Sequence, residues 1–127
     1  LFEIDALFCN DDRHLNNIAV LEQNSRYDYC PIFDNGAGLL SNTQLSPMDI
    51  APPALLSALR ARPFNTTFTR QMNTALSLYG PQLAIPKMTA NQVREVLRPL
   101  LDYYPQRDRG IIADRVEACI ITRQKKL

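Results

Sequence analysis

Three side chains in the first third of the sequence have the types and spacing of a hard-oxygen metal site: Asp12, Asn17 and Asp34. Asp12 and Asn17 lie five positions apart in the polar stretch Asn10–Asn17 (NDDRHLNN), and Asp34 opens the later Asp34-Asn35-Gly36. Two carboxylates and one amide oxygen suit Mg²⁺, which takes few protein ligands and fills its remaining positions with phosphate or water oxygens. The three cysteines, Cys9, Cys30 and Cys119, are widely spaced, and only one histidine accompanies them. A zinc set of familiar spacing is therefore excluded, and reduced thiols in a cytosolic protein are the simpler expectation.

For the three oxygens to meet, the chain between them must fold back. Ile18–Leu21 (IAVL) and Tyr29–Phe33 (YCPIF) are apolar runs of strand length, and Glu22–Asp28 (EQNSRYD) is polar. That alternation predicts a β-hairpin, with Pro31 confining the second strand to an edge. In an antiparallel hairpin the residue entering the first strand lies beside the residue leaving the second. This pairing brings Asn17 toward Asp34, with Asp12 on the loop feeding the same end.

The surrounding elements read as helices. Leu1–Cys9 (LFEIDALFC) has the pattern of the end of a buried helix with Glu3 and Asp5 as polar breaks. Pro52-Pro53 open a helix through Arg60, and Thr67–Tyr79 form another, stopped by Gly80-Pro81. Thr89 and Gln92 have the form of a capping box for a helix reaching Leu101. Arg107–Arg123 carries Ile112, Val116, Cys119 and Ile120 on one face. Tyr103-Tyr104 are expected between the last two helices, and Cys9 and Cys119 as small buried hydrophobes. The expected fold is one domain over residues 1–127, mainly α with a small β-hairpin.

Composition narrows the partners. The 127 residues are 46% apolar and 21% charged, with 14 basic and 13 acidic side chains. A net charge of +1 gives no bulk attraction to nucleic acid or to an anionic membrane. No apolar run approaches the roughly 18 residues of a membrane helix, and the expected location is cytoplasmic. Gly36-x-Gly38 does not extend to a dinucleotide fingerprint: Ser41 stands at the third glycine and Pro47 interrupts the helix that should follow. Gly36 is expected to serve a turn with positive φ. The arginines of Arg60–Arg70 (RARPFNTTFTR) are expected at a solvated helix end.

The compound pattern Asp-x-x-x-x-Asn, strand pair, Asp-x-Gly resembles the catalytic and metal loops of kinases. With Asn10 two residues before Asp12-Arg13-His14-Leu15-Asn16-Asn17, and with Asp34-Asn35-Gly36, it is most similar to the HipA-like serine/threonine kinases. Phosphatidylinositol kinases share a similar Asp-Arg-His-x-x-Asn loop. The resemblance covers Asn10–Gly38, about a quarter of the chain. It implies a kinase-like C-terminal lobe using Mg²⁺ with ATP and a protein substrate offering a Ser or Thr hydroxyl.

On that resemblance Asp12 accepts the hydroxyl proton, and Asn17 and Asp34 hold the metal. Arg13, His14, Asn16 and Gly36 orient the loops. Asp11 and Asn16 repeat the same five-residue offset, and the Arg-His that follows favours Asp12. Many HipA-like loops carry a lysine where this chain has Asn16. A kinase also needs a lysine and a phosphate-covering loop upstream, yet none of the eleven residues before Asp12 is lysine or glycine. The nucleotide-binding lobe is therefore expected in cis on a longer chain or in trans on another. Two other readings stay open: a non-catalytic interaction or regulatory module on a kinase scaffold, and a small-molecule or lipid kinase sharing the loop.

Overall fold

The computed structural model describes residues 1–127. Five helices, α1 (Phe2–Phe8), α2 (Pro52–Ala58), α3 (Phe68–Tyr79), α4 (Ala90–Leu101) and α5 (Gln106–Arg123), accompany one antiparallel pair, β1 (Val20–Gln23) and β2 (Arg26–Tyr29). The chain is mainly helical with a small two-stranded sheet. No helix is long and apolar enough to cross a membrane.

Local chemistry sets the helix ends. Thr67 caps α3 by accepting from Arg70 N at 3.1 Å, and Gly80 at φ 69° ends it before Pro81. Thr89 and Gln92 form the expected reciprocal capping box on α4. α1 stops at Cys9, whose φ of 56° is left-handed, while Asn10 N closes onto Asp5 O at 3.0 Å.

α5 is the central strut, packing on α1, α2, α4 and the turn Gly38–Leu40. α1 lies between α3 and α5. Ala6, Cys9, Leu40, Leu55, Phe68, Met72 and Cys119 join Ala61 in the main core, and Leu7, Val93 and Ile120 form a smaller one. Both Cys9 and Cys119 are buried and reduced. A hydrogen bond with Cys9, reinforced by burial, pushes the Cys119 thiol well above the ordinary thiol range. At the far end of α5, Arg123 donates from Nε to Ala6 O at 2.7 Å and lies over the Phe68 ring at 5.4 Å.

The hairpin differs from expectation. The first strand begins and ends two residues later than Ile18–Leu21, the second begins three and ends four residues earlier than Tyr29–Phe33, and the loop is only Asn24-Ser25. Both loop residues have positive φ, 53° and 59°, the geometry of the tight turn matching strand twist. Apolar runs mislocated it because this ribbon is exposed on both faces and needs no apolar pattern. Pro31 consequently lies beyond the strand.

Three further expectations are corrected. Glu3 and Asp5 are buried and partnered rather than breaking the buried face: Gln82 N donates to the Glu3 carboxylate, and Asp5 meets Arg13. Tyr103 and Tyr104 are exposed and do not pack between the last two helices, because they fall in the turn after α4 ends at Leu101 and before α5 begins at Gln106. Gly36 has no positive φ; Asp34 (52°), Leu39 (59°) and Leu40 (60°) take that conformation instead.

Candidate functional site

The site is organised by an arginine. Arg13 is fully buried, and its guanidinium grips Asp5 through Nε to Oδ2 at 3.0 Å and Nη2 to Oδ1 at 3.0 Å. This fork-on-carboxylate geometry suits the planar donor set of arginine. The remaining donors reach two loops. Nη1 donates to Asn17 O at 3.1 Å and to Phe33 O at 2.6 Å, and Nη2 donates to Asn35 Oδ1 at 2.6 Å. Since one nitrogen holds both carbonyls, Asn17 and Phe33 are close neighbours although no ladder bond joins them.

The expected juxtaposition of Asn17 with the Asp34 segment therefore exists, through a side chain and not through strand register. The ladder stops at Val20–Tyr29. Asp34 sits between the two anchor points, Phe33 and Asn35, with its backbone left-handed and its side chain exposed. Asn35 O accepts from Gly38 N at 3.1 Å, and Ser41 Oγ donates to Gly36 O, which folds the rest of the loop. Gly38 is the glycine this loop requires, since a Cβ there would stand 3.3 Å from Phe8 O, whereas one at Gly36 would meet nothing.

The loop before the hairpin is equally tied. Asn10, buried, donates to Asp5 Oδ1 at 3.2 Å and accepts from Asp12 N at 3.2 Å. His14 N donates to Asp12 O at 2.8 Å. Asn17 is buried and its Nδ2 donates to the same carbonyl at 3.1 Å. That bond fixes the amide, turning its NH₂ inward and leaving Oδ1 with no partner in the chain. The carboxylates of Asp12 and Asp34 are exposed and accept no hydrogen bond within the chain.

Around the Arg13 hub there are thus three uncommitted oxygen groups. Two carboxylates and an amide oxygen match the donor chemistry of Mg²⁺. The chain has no group of three or more His, Cys, Asp or Glu arranged for a metal, so phosphate or water oxygens would have to complete the shell. His14 is half-buried and Asn16 exposed, and neither side chain forms a hydrogen bond in the chain. Of the two equal offsets, Asp12–Asn17 is the bonded one, and Asp11–Asn16 is not.

Asp11 has a different environment. Its carboxyl is held above the ordinary aspartate range chiefly by burial, with the Asp12 charge adding and Arg62 opposing. Asp11 and Asp12 line a cavity of about 420 Å³ with Asn42, Arg60, Arg62 and Asn65. A second cavity, about 730 Å³, lies between Asn35-Gly36 and helices α4 and α5. Arg115 on its wall is buried and donates to Leu40 O (2.9 Å), Ser46 O (2.8 Å) and Pro47 O, fastening the segment after the Asp34 loop to α5.

Asp5, Arg60, Arg62 and Arg115 were not among the residues expected at the site. An acid inside the apolar α1, which holds Glu3 as well, was the one available signal for Asp5, since a buried charge demands a partner. Arg60 and Arg62 stand in the arginine-bearing stretch Arg60–Arg70, read as a solvated helix end in preference to a phosphate patch, and nothing local marks Arg115. Comparison with protein-family models, with curated proteins and with solved structures found no match.

Proposed function

We propose that this chain is the C-terminal lobe of a HipA-like protein kinase, transferring phosphate from ATP to a Ser or Thr hydroxyl. The observation that carries the reading is the Arg13 hub, which ties the Asp12–Asn17 loop to Phe33–Asn35. Asn17 Oδ1 and the Asp34 carboxylate are the groups that would hold Mg²⁺. When bound, the ion neutralises charge on the transferring phosphoryl group. Asp12 takes the proton of the acceptor hydroxyl as its oxygen bonds to the γ-phosphorus and the bond to the ADP oxygen breaks. Such a base contributes about 10²–10⁴-fold in rate. The bond from Asn17 Nδ2 to Asp12 O ties the Asn17 amide to the Asp12 backbone.

The hairpin supports a nucleotide-binding lobe in cis or in trans. Val20, Leu21, Tyr27 and Tyr29 are exposed on a ribbon that packs on no helix. A two-stranded ribbon alone is marginal in water, and an apposed lobe would cover it. A cytoplasmic location fits the reduced thiols.

The test is phosphoryl transfer by the intact natural protein. Asp12→Ala, Asn17→Ala and Asp34→Ala should each abolish it; normal transfer by all three would falsify the assignment. The same exposed ribbon favours a second reading, a non-catalytic interaction module. Titration with Mg²⁺ and ATP separates the two, because the module should bind neither.

A further inference from the structure

We infer that the cavity beside Asp12 is the acceptor subsite and that Arg60 and Arg62 select peptides carrying an acidic residue next to the Ser or Thr. This inference rests on the proposed kinase reading for the identity of the hydroxyl. The cavity, about 420 Å³, is lined by the acidic Asp11 and Asp12 and by the basic Arg60 and Arg62. Neither Asn17 nor Asp34 lines it. A hydroxyl entering here therefore meets Asp12 without crossing the metal-ligand pair.

The two guanidiniums are available for a ligand. Arg60 spends only Nη1 on the chain, capping the end of α2 at Leu59 O (3.0 Å) and Ala58 O (3.3 Å), so Nε and Nη2 are free. The Arg62 side chain forms no hydrogen bond, and neither arginine is in an ion pair. Both are exposed. Their positions are fixed from behind: Arg62 O accepts from the buried Gln71 at 2.8 Å, and Ala61 pairs with Thr66 in an isolated bridge. A guanidinium fork recognises a carboxylate through two parallel bonds.

Charge complementarity then orients the acceptor. Asp11 and Asp12 repel an anionic flank and the two guanidiniums attract it, so it settles on Arg60 and Arg62 and leaves Asp12 to the hydroxyl. A basic flank would instead be drawn to the two aspartates, and that preference is the opposing outcome.

The experiment measures binding of fluorescent Ser peptides with Glu flanks or Lys flanks to the full chain, without nucleotide, by anisotropy. The Glu-flanked peptide should bind about tenfold more tightly, as expected for two exposed charge contacts. Added salt should erode the difference. Arg60→Glu with Arg62→Glu should reverse the preference, and Arg60→Lys with Arg62→Lys should keep its sign; circular dichroism checks that the exposed substitutions leave the fold intact. Equal binding, no binding of either peptide, a Lys preference, or a Glu preference surviving charge reversal each overturns the inference. Phosphoryl transfer is read separately on the intact natural protein. Acidic preference without transfer sinks the kinase reading and the acceptor role with it, leaving only an acidic-peptide site, and transfer without acidic preference sinks the subsite alone.

Discussion

Replacing Arg13 by Met separates holding the fold from positioning the site. The substitution leaves Asp5, only 1% exposed, with Asn10 Nδ2 as its remaining side-chain donor. Removing one partner of a buried ion pair costs about 3–5 kcal/mol, a large part of a total stability of about 5–15 kcal/mol. Adding Asp5→Leu removes the stranded charge, and apolar replacement of a buried pair is often close to neutral. The double variant still leaves the buried Asn10 amide without its acceptor, a residual cost of about 1–3 kcal/mol. Urea unfolding should therefore show a large loss in the single variant and partial recovery in the double. Phosphoryl transfer by the intact natural protein should not recover. Asn17 O, Phe33 O and Asn35 Oδ1 have lost their common donor, and a displacement of about 1 Å at such a site costs roughly 10²-fold. A single variant losing under about 1 kcal/mol, or a double variant transferring at the wild-type rate, would refute the role assigned to Arg13.

Two other substitutions test the loops. Gly38→Ala forces a methyl against Phe8 O and should destabilise by about 1–2 kcal/mol, whereas Gly36→Ala meets open space at ordinary φ and should be neutral or stabilising by up to about 1 kcal/mol; thermal melts distinguish them. Asp11 binds its proton more tightly in the folded chain than in the unfolded one. Its contribution to stability therefore falls as pH rises from the ordinary aspartate value to the raised folded one, and stays low above it. Asp11→Asn should remove that decline and stabilise the protein at neutral pH by no more than a few tenths of a kcal/mol, since the group is only half-buried; denaturant titrations across acidic and neutral pH measure it.

The helices were legible because their signals are local. Thr67, Gly80-Pro81 and the Thr89–Gln92 box act within one turn, and α3 and α4 begin within a residue of where those signals place them. The hairpin was legible in existence but not in position, because Asn24 and Ser25 carry the turn while the strands around them bury nothing. At the site, polar residue types and spacing indicated Asp12, Asn17 and Asp34, but the means of joining them was hidden. Arg13 works through partners at positions 5, 17, 33 and 35, and such contacts belong to tertiary structure. Arg60 and Arg62 escaped for the same reason: only the folded chain brings the residues after α2 to the same cavity as Asp12.

Arg115 has a consequence for how the segment behind Gly36 behaves. Leu39 and Leu40 are held at left-handed φ, which costs a leucine roughly 1–2 kcal/mol each, and the carbonyls of Leu40, Ser46 and Pro47 converge on this one guanidinium. The segment is a bent spring kept shut by a single latch, with no carboxylate sharing the load. Lysine offers a point charge that cannot span three carbonyls, so that exchange would let residues 39–47 relax while α5 stays folded. Amide hydrogen exchange would then speed up at Ser41 and Ser46, whose N–H groups are bonded within the segment.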